Sequence, residues 1–286
     1  MIDDGDHVDS APDSRIGRTP LKILCQHDHG SCAACCGAYN FVDRSPAASA
    51  ARFRRRTDAV VAAWPDVDRL AAVRDELLAE ERPQIVFAGV KVCPFAGYVE
   101  EPVDGPARVG CLLHPTRHPT GADLRDLAVY PKAVCAGHFC APHDWLRPRE
   151  VALAQTATGP RYGRVVTDAG LVKAVQRFVE DACGRRLDED DWARVAGDLD
   201  VVWALFIDAW PYADPDPRRF GGFVFAGDDA VERTLPSALA GRRHDATATE
   251  LTILDCLGTA VDDDAGAQAA LSALRAALAP IVAALG

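Results

Sequence analysis

No run of apolar residues in this chain approaches the roughly 18–20 that cross a bilayer, so no membrane-spanning segment is expected. The opening residues, MIDDGDHVDSAPDS, lack both a basic start and an apolar stretch, and no secretory leader is expected from them. No G-x-G-x-x-G or P-loop follows a strand-like segment, which leaves nucleotide binding without a motif. There is no internal repeat. Basic charge is also short, with 31 Lys and Arg against 42 Asp and Glu, a net charge of -11 and a pI near 5.1. Such a chain repels polyanions on average, which disfavours nucleic acid and anionic membrane surfaces as partners. These absences predict a cytoplasmic, reducing location. There, ten cysteines are not read as a disulfide framework, and a chain of 286 residues can bury a core without one.

The acidity is uneven. Residues 25–143 carry 13 basic and 14 acidic groups, and residues 144–286 carry 15 and 23. The cysteines are uneven as well. Cys25, Cys32, Cys35, Cys36, Cys93, Cys111, Cys135 and Cys140 all lie between residues 25 and 140. His27, His29, His114, His118, His138 and His143 fall in almost the same window. Fourteen of the 18 cysteines and histidines therefore occupy about two fifths of the chain. An apolar core has no reason to concentrate thiols in this way, whereas a soft metal does.

Residues 1–20 read as a polar tail, 21–156 as a cysteine-rich metal-binding domain of irregular loops and short strands, and 166–286 as a mainly helical domain. The class is α+β, mainly α. Ser45-Pro46 starts a helix to about Ala63, and Pro65-Asp66 a second to about Glu81. Strands are expected around Val90–Val92, Tyr98–Val99 and Val109–Leu113, with turn chemistry across 100–107. Residues 115–143 read as irregular. Helices follow at Arg149–Thr156, from a cap at Thr167 or Asp168 to Cys183 with Gly184 as stop, and from Asp188 to about Trp210. One short strand is expected over Gly221–Gly227, then helices near Asp229–Leu235, Ala246–Val261 and Ala265–Leu285. A boundary is expected at 157–165.

Cys32-Ala-Ala-Cys35-Cys36-Gly37 is the sharpest local motif. A C-x-x-C loop can place two thiolates about one metal, and a nearby glycine lets backbone N–H groups turn toward sulfur. Side chains of adjacent residues diverge, so Cys35 and Cys36 are not expected to serve one tetrahedral ion together. Cys93-Pro94-Phe95, Gly110-Cys111 and Cys135-x4-Cys140 complete the set. The spacing Cys25-x6-Cys32-x2-Cys35 does not match the C-x3-C-x2-C loop of radical S-adenosylmethionine enzymes. Arg52–Arg56 reads as a solvated helix face, His114 and His118 as either ligands or plain loop residues, and Cys183 and Cys256 as core packing.

At these residues the chain resembles the CxxCxxCC family of zinc- or iron-chelating proteins (YkgJ-type), whose wider membership includes a flagellin lysine methylase. The resemblance covers roughly residues 25–143 and rests on Cys32-x2-Cys35-Cys36, Cys93-Pro94-Phe95, Gly110-Cys111-Leu112-Leu113 and the Cys135–Cys140 pair. It implies eight metal ligands, Cys25, Cys32, Cys35, Cys36, Cys93, Cys111, Cys135 and Cys140, holding an iron–sulfur cluster or zinc. It permits redox or methyl-transfer chemistry without establishing an enzyme. His29, not a cysteine, stands three residues before Cys32, so either Cys25 or His29 takes the first ligand position; Cys25 is preferred because cluster ligation is usually all-thiolate. The alternative is a structural zinc module that presents the acidic helical half to a protein partner.

Overall fold

The computed structural model describes residues 24–27, 30–101, 107–118, 120–216, 219–220, 223–226, 230–232 and 238–286. The chain is 57% helical with a few short antiparallel strands, an α+β fold that is mainly α. Two-residue strands β1 (Gln26–His27) and β2 (Gly30–Ser31) pair antiparallel. Helix α1 (Pro46–Ala63) begins where Ser45 accepts a hydrogen bond from Ala48 N–H, and α2 (Val67–Glu81) where Asp66 accepts one from Arg69 N–H. Each cap satisfies a donor that the first helical turn leaves open. Strands β3 (Ala96–Glu100) and β4 (Arg108–Cys111) form an antiparallel pair with Ala96 opposite Cys111 and Tyr98 opposite Val109.

The strand expected at Val90–Val92 is a loop, and Leu112–Leu113 is a turn whose side chains are buried. The loop is pinned by Asn40, whose amide donates to the carbonyls of Phe87 and Val90 and accepts from Phe87 N–H. These bonds satisfy its backbone without a ladder. The stretch 115–143 is more regular than expected. It holds single turns at Pro115–Arg117 and Arg125–Leu127, then helices α3 (Lys132–Gly137) and α4 (Pro142–Trp145). Prolines at 115, 131 and 142 stand at or just before the starts of three of these, where a missing N–H costs nothing.

The second half runs α5 (Pro148–Ala154), α6 (Arg161–Thr167), α7 (Ala169–Cys183), α8 (Glu189–Arg194) and α9 (Ala196–Asp208). Asp168 caps α7 through Leu171 N–H, and Gly184 ends it at φ 67°. The single helix expected from Asp188 to Trp210 breaks at Val195, whose backbone leaves the helical region while its side chain enters the core. A β-branched residue followed by Gly197 is the weak point of that stretch. Strands β5 (Arg219–Phe220), β6 (Phe223–Ala226) and β7 (Ala230–Glu232) pair in that order, antiparallel. The helix expected near Asp229–Leu235 is therefore strand β7 over its described part, and residues 233–237 lie outside the described residues. Hairpin pairing with β6, four to eight residues upstream, overrides local helix propensity there. Helices α10 (Ala248–Cys256) and α11 (Asp264–Leu285) close the chain.

One large apolar cluster joins α5–α11, with Trp192, Trp203, Leu199 and Leu171 fully buried. It reaches back to Leu24 and Cys32. The stretch at 157–165 includes the start of α6, which packs against β2, and Gly159 bridges to Gly30. By length and composition, α11 is the one helix among the described residues apolar enough to cross a membrane. One face of it, including Leu271, Leu274, Leu278 and Ile281, is buried in this core. Two smaller clusters serve the first half, one around Leu70, Phe95 and Leu113 and one around Phe53, Tyr39 and Tyr98.

The Arg52–Arg56 run is only partly a solvated face. Arg56 is fully buried and binds Glu81 through two contacts, Nε–Oε1 2.8 Å and Nη2–Oε2 2.6 Å, while its third nitrogen donates to Ala96 O. Arg52 lies over the Phe41 ring, 3.5 Å from its centroid. A four-residue spacing puts these two on the inner face of α1, and Arg54 and Arg55 remain outside with carboxylate partners.

Candidate metal centre

The pairing of β1 with β2 brings Cys25 and Cys32 together, and Cys32 N–H donates to Cys25 O at 2.9 Å. His29, the other candidate for the first ligand, lies outside the described residues. After Cys32 the chain makes one tight turn over Ala34–Cys36, and Ala34 N–H points at Cys32 Sγ, 3.4 Å away. Gly37 ends the turn at φ 70°; a Cβ there would lie 2.4 Å from Lys91 O. Glycine is required both for the left-handed backbone and for this contact. It lets Cys36 O accept from Cys93 N–H at 2.9 Å, which docks the motif onto the segment leading to Cys93.

Helix α6 closes the other side. A Cβ on Gly163 would fall 3.1 Å from Cys32 Cα and would collide with the Tyr39 hydroxyl. Tyr39 donates to Pro160 O, and Tyr162 donates to Leu24 O beside Cys25. Gly163 and Tyr162 were not among the residues singled out by the sequence pattern, since they lie in the stretch that reads as a boundary. A glycine inside a helical turn between Tyr and Arg is the local sign of this close approach.

The remaining cysteines come from three segments. Cys93 is buried and its sulfur receives backbone N–H groups of Phe95 and Val129. Cys111, at the end of β4, receives Leu113 N–H. Cys135 is exposed on α3, and Cys140 is half-buried before α4, its carbonyl accepting from His143 N–H at 2.9 Å. The His143 ring reaches back, with Nε2 3.7 Å from Cys25 Sγ. In Cys32, Cys93 and Cys111 alike, the N–H two residues on turns toward the sulfur. Such donors stabilise a thiolate and tune whatever it binds.

Burial sets the charge state. It pushes Cys25 up to about 11, with the charges of Cys140 and Cys35 adding to it, and Cys111 up to about 12. Burial likewise raises Cys32, Cys93, Cys135 and Cys140. Cys36 is raised first by its hydrogen bond to Cys35 and then by burial. Cys35 moves the other way, down to about 6, because the Cys36 thiol donates to it and the His138 charge favours its thiolate. Arg125, held by Asp123, is a cation near Cys111 and Cys135 that no motif announced. Among the described residues no three His, Cys, Asp or Glu side chains stand close enough to enclose an ion as they are. Protonated thiols have little mutual attraction; drawing them to ligand distance requires displacing their protons, which metal binding does.

Cys183 and Cys256 pack against the second-half core, Cys256 hydrogen-bonded to Asp168. His114 and His118 accept local N–H groups of Thr116 and Thr120, in loop turns. The donor set of thiols with backbone N–H groups turned to sulfur fits zinc or an iron–sulfur cluster in its chemistry. No protein-family model, curated protein or solved structure matches the chain.

Proposed function

We propose that this chain is a cytoplasmic metal-binding protein, akin to the CxxCxxCC chelators, whose metal is held by Cys25, Cys32, Cys35, Cys36, Cys93, Cys111, Cys135 and Cys140. One observation carries the reading. Backbone bonds join Cys32 to Cys25 and Cys93 to Cys36, the β3–β4 ladder sets Cys111 opposite Ala96, and the ring of His143, three residues beyond Cys140, reaches within 3.7 Å of Cys25 Sγ, so cysteines from segments more than a hundred residues apart converge. An iron–sulfur cluster is the preferred occupant, in a redox or group-transfer role; such a cluster supplies electron storage or Lewis acidity. The chain's own contribution is to aim N–H groups at sulfur, to hold Cys35 as a thiolate, and to exclude water from Cys93.

A structural zinc module is the second reading, favoured by the burial of Cys93 among Phe95, Leu112 and Leu113, since structural zinc sites are closed. On that reading the acidic helical half is what a protein partner meets. Anaerobic purification with iron, acid-labile sulfide and zinc analysis tests both. Iron with sulfide and absorbance near about 400 nm supports the cluster; zinc alone supports the module. Folded protein with no transition metal, and none taken up on reconstitution, overturns the proposal.

A further inference from the structure

We propose that the cavity between α6, the end of α9 and the end of α10 binds a small aromatic carboxylate, its head group on Arg44 and Arg164 and its ring against Phe206 and Trp210. The site is separate from the metal reading, because Cys256 lines it and none of the eight cysteines proposed as ligands does.

The cavity holds about 240 Å³. That is below the roughly 300–1,000 Å³ of sites for drug-sized molecules, so it suits a compact ligand and leaves little room for a nucleotide. Its wall is fixed by the fold. Arg44 comes from the first half, just ahead of the Ser45 cap of α1, and Arg164 stands on α6. The Trp210 ring is held by its Nε1, which donates to Thr259 Oγ1 at 2.9 Å. It meets Phe206 edge to face, with centroids 5.7 Å apart. The turn after Trp210 is tied to the end of α10. Asp214 N–H donates to Gly258 O at 2.8 Å, and Ala260 N–H to Tyr212 O at 2.9 Å. A wall ordered in advance spares a ligand the cost of ordering it.

The charges favour an anion. Arg44 and Arg164 are both half-buried. Burial and then the Arg164 charge lower the pKa of Arg44, so two guanidiniums face one partly dry space. A carboxylate between them relieves that repulsion, and its two oxygens match the planar fork of arginine. The carboxylates of the wall are already engaged. Asp208 accepts from Arg161 Nε at 2.7 Å and from Arg164 Nη1 at 3.3 Å. Asp168 accepts from Leu171 N–H at 2.9 Å and from the Cys256 thiol, and Asp214 from Asp216 N–H at 2.8 Å. A cationic ligand would have to compete for these groups. The rings of Phe206 and Trp210 add apolar area that a bare inorganic anion leaves unused and that an aromatic body covers.

Calorimetric titration of the full chain with benzoate, benzamide, benzylamine and inorganic phosphate tests this. Benzoate is expected to bind about tenfold more tightly than each of the others. The Cys256 thiol is partly exposed and reports occupancy in the wild-type chain, which requires no variant to fold. With benzoate at about ten times its Kd, its alkylation by iodoacetamide should slow about tenfold, with Cys183 unchanged, as read by peptide mass spectrometry. Arg44 belongs to none of the apolar clusters, and Arg44→Gln should weaken benzoate about tenfold while leaving benzamide as it was. Benzamide, benzylamine or phosphate binding as tightly as benzoate overturns the assignment. So does benzoate affinity untouched by Arg44→Gln, benzoate binding that leaves Cys256 equally reactive, or no benzoate binding at all.

Discussion

The two halves of this molecule are ordered by different forces. From α5 onward, helices bury one continuous apolar cluster that includes three tryptophans and one face of α11. The first half has two small clusters instead, and much of its order comes from buried polar bonds. Asn40 pins the loop before Cys93, Thr57 accepts from Tyr98 N–H, Ser31 accepts from Val109 N–H, and Arg56 meets Glu81. A region with so little apolar burial has less to set against chain entropy, and cross-links supplied by a metal are one way to make up the difference.

The largest effect expected from this contrast is that of metal removal. Coordination in small thiolate sites is worth on the order of 10 kcal/mol, so chelation should release the first half and spare the second. Hydrogen exchange should then show faster amides over 91–143, with those of α7, α9 and α11 unchanged. Equal loosening of both halves would mean that they share one source of order.

A smaller but still large effect is expected at the buried ion pair. Arg56→Ala leaves Glu81 inside with only the half-exposed Arg55 as partner, at about 3–5 kcal/mol. It also frees Ala96 O next to Cys111. Urea unfolding should show the loss in the first half, whereas Arg54→Ala, on the exposed side, should cost under about 1 kcal/mol. Equal costs would make Arg56 a surface residue in energetic terms.

The smallest effect belongs to the second half and depends on pH. The guanidiniums of Arg185 and Arg194 hold Asp191 at about 2, below the ordinary carboxylate value of about 3.9. A lowered folded value means the stabilisation is present above about 4 and disappears as pH falls through about 2. Both arginines are partly exposed, so Asp191→Asn should cost at most about 1 kcal/mol at neutral pH. The gap from the parent chain should close on acidification. A cost that persists at pH 2 would point to the cap at Asp188 in place of the ion pairs.

Much of this was legible beforehand where the cause is local. The starts of α1 and α2 were marked by Ser45 and Asp66, and that of α7 by the Thr167–Asp168 pair, of which Asp168 is the cap; each cap bonds an N–H three residues on. What was not legible depended on distant partners. The loop at Val90–Val92 looks like a strand until Asn40, fifty residues away, binds the Val90 carbonyl. Arg56 looks solvated until Glu81 meets it, and Gly163 carries no sign of metal chemistry until α6 presses on Cys32.

The amino-acid sequence by itself determined which residue types could hold a metal and where they were concentrated, because thiol chemistry and motif spacing travel with the chain. It also determined the starts of α1 and α2 and the end of α7, because a cap is satisfied within four residues. Only the tertiary structure decided which thiols become neighbours. Cys25 meets His143 across 118 residues, and Cys36 meets Cys93 through a single backbone bond, and neither encounter is written in the spacing. Contacts of that range depend on how α6, β3 and β4 pack, and packing is a property of the whole fold.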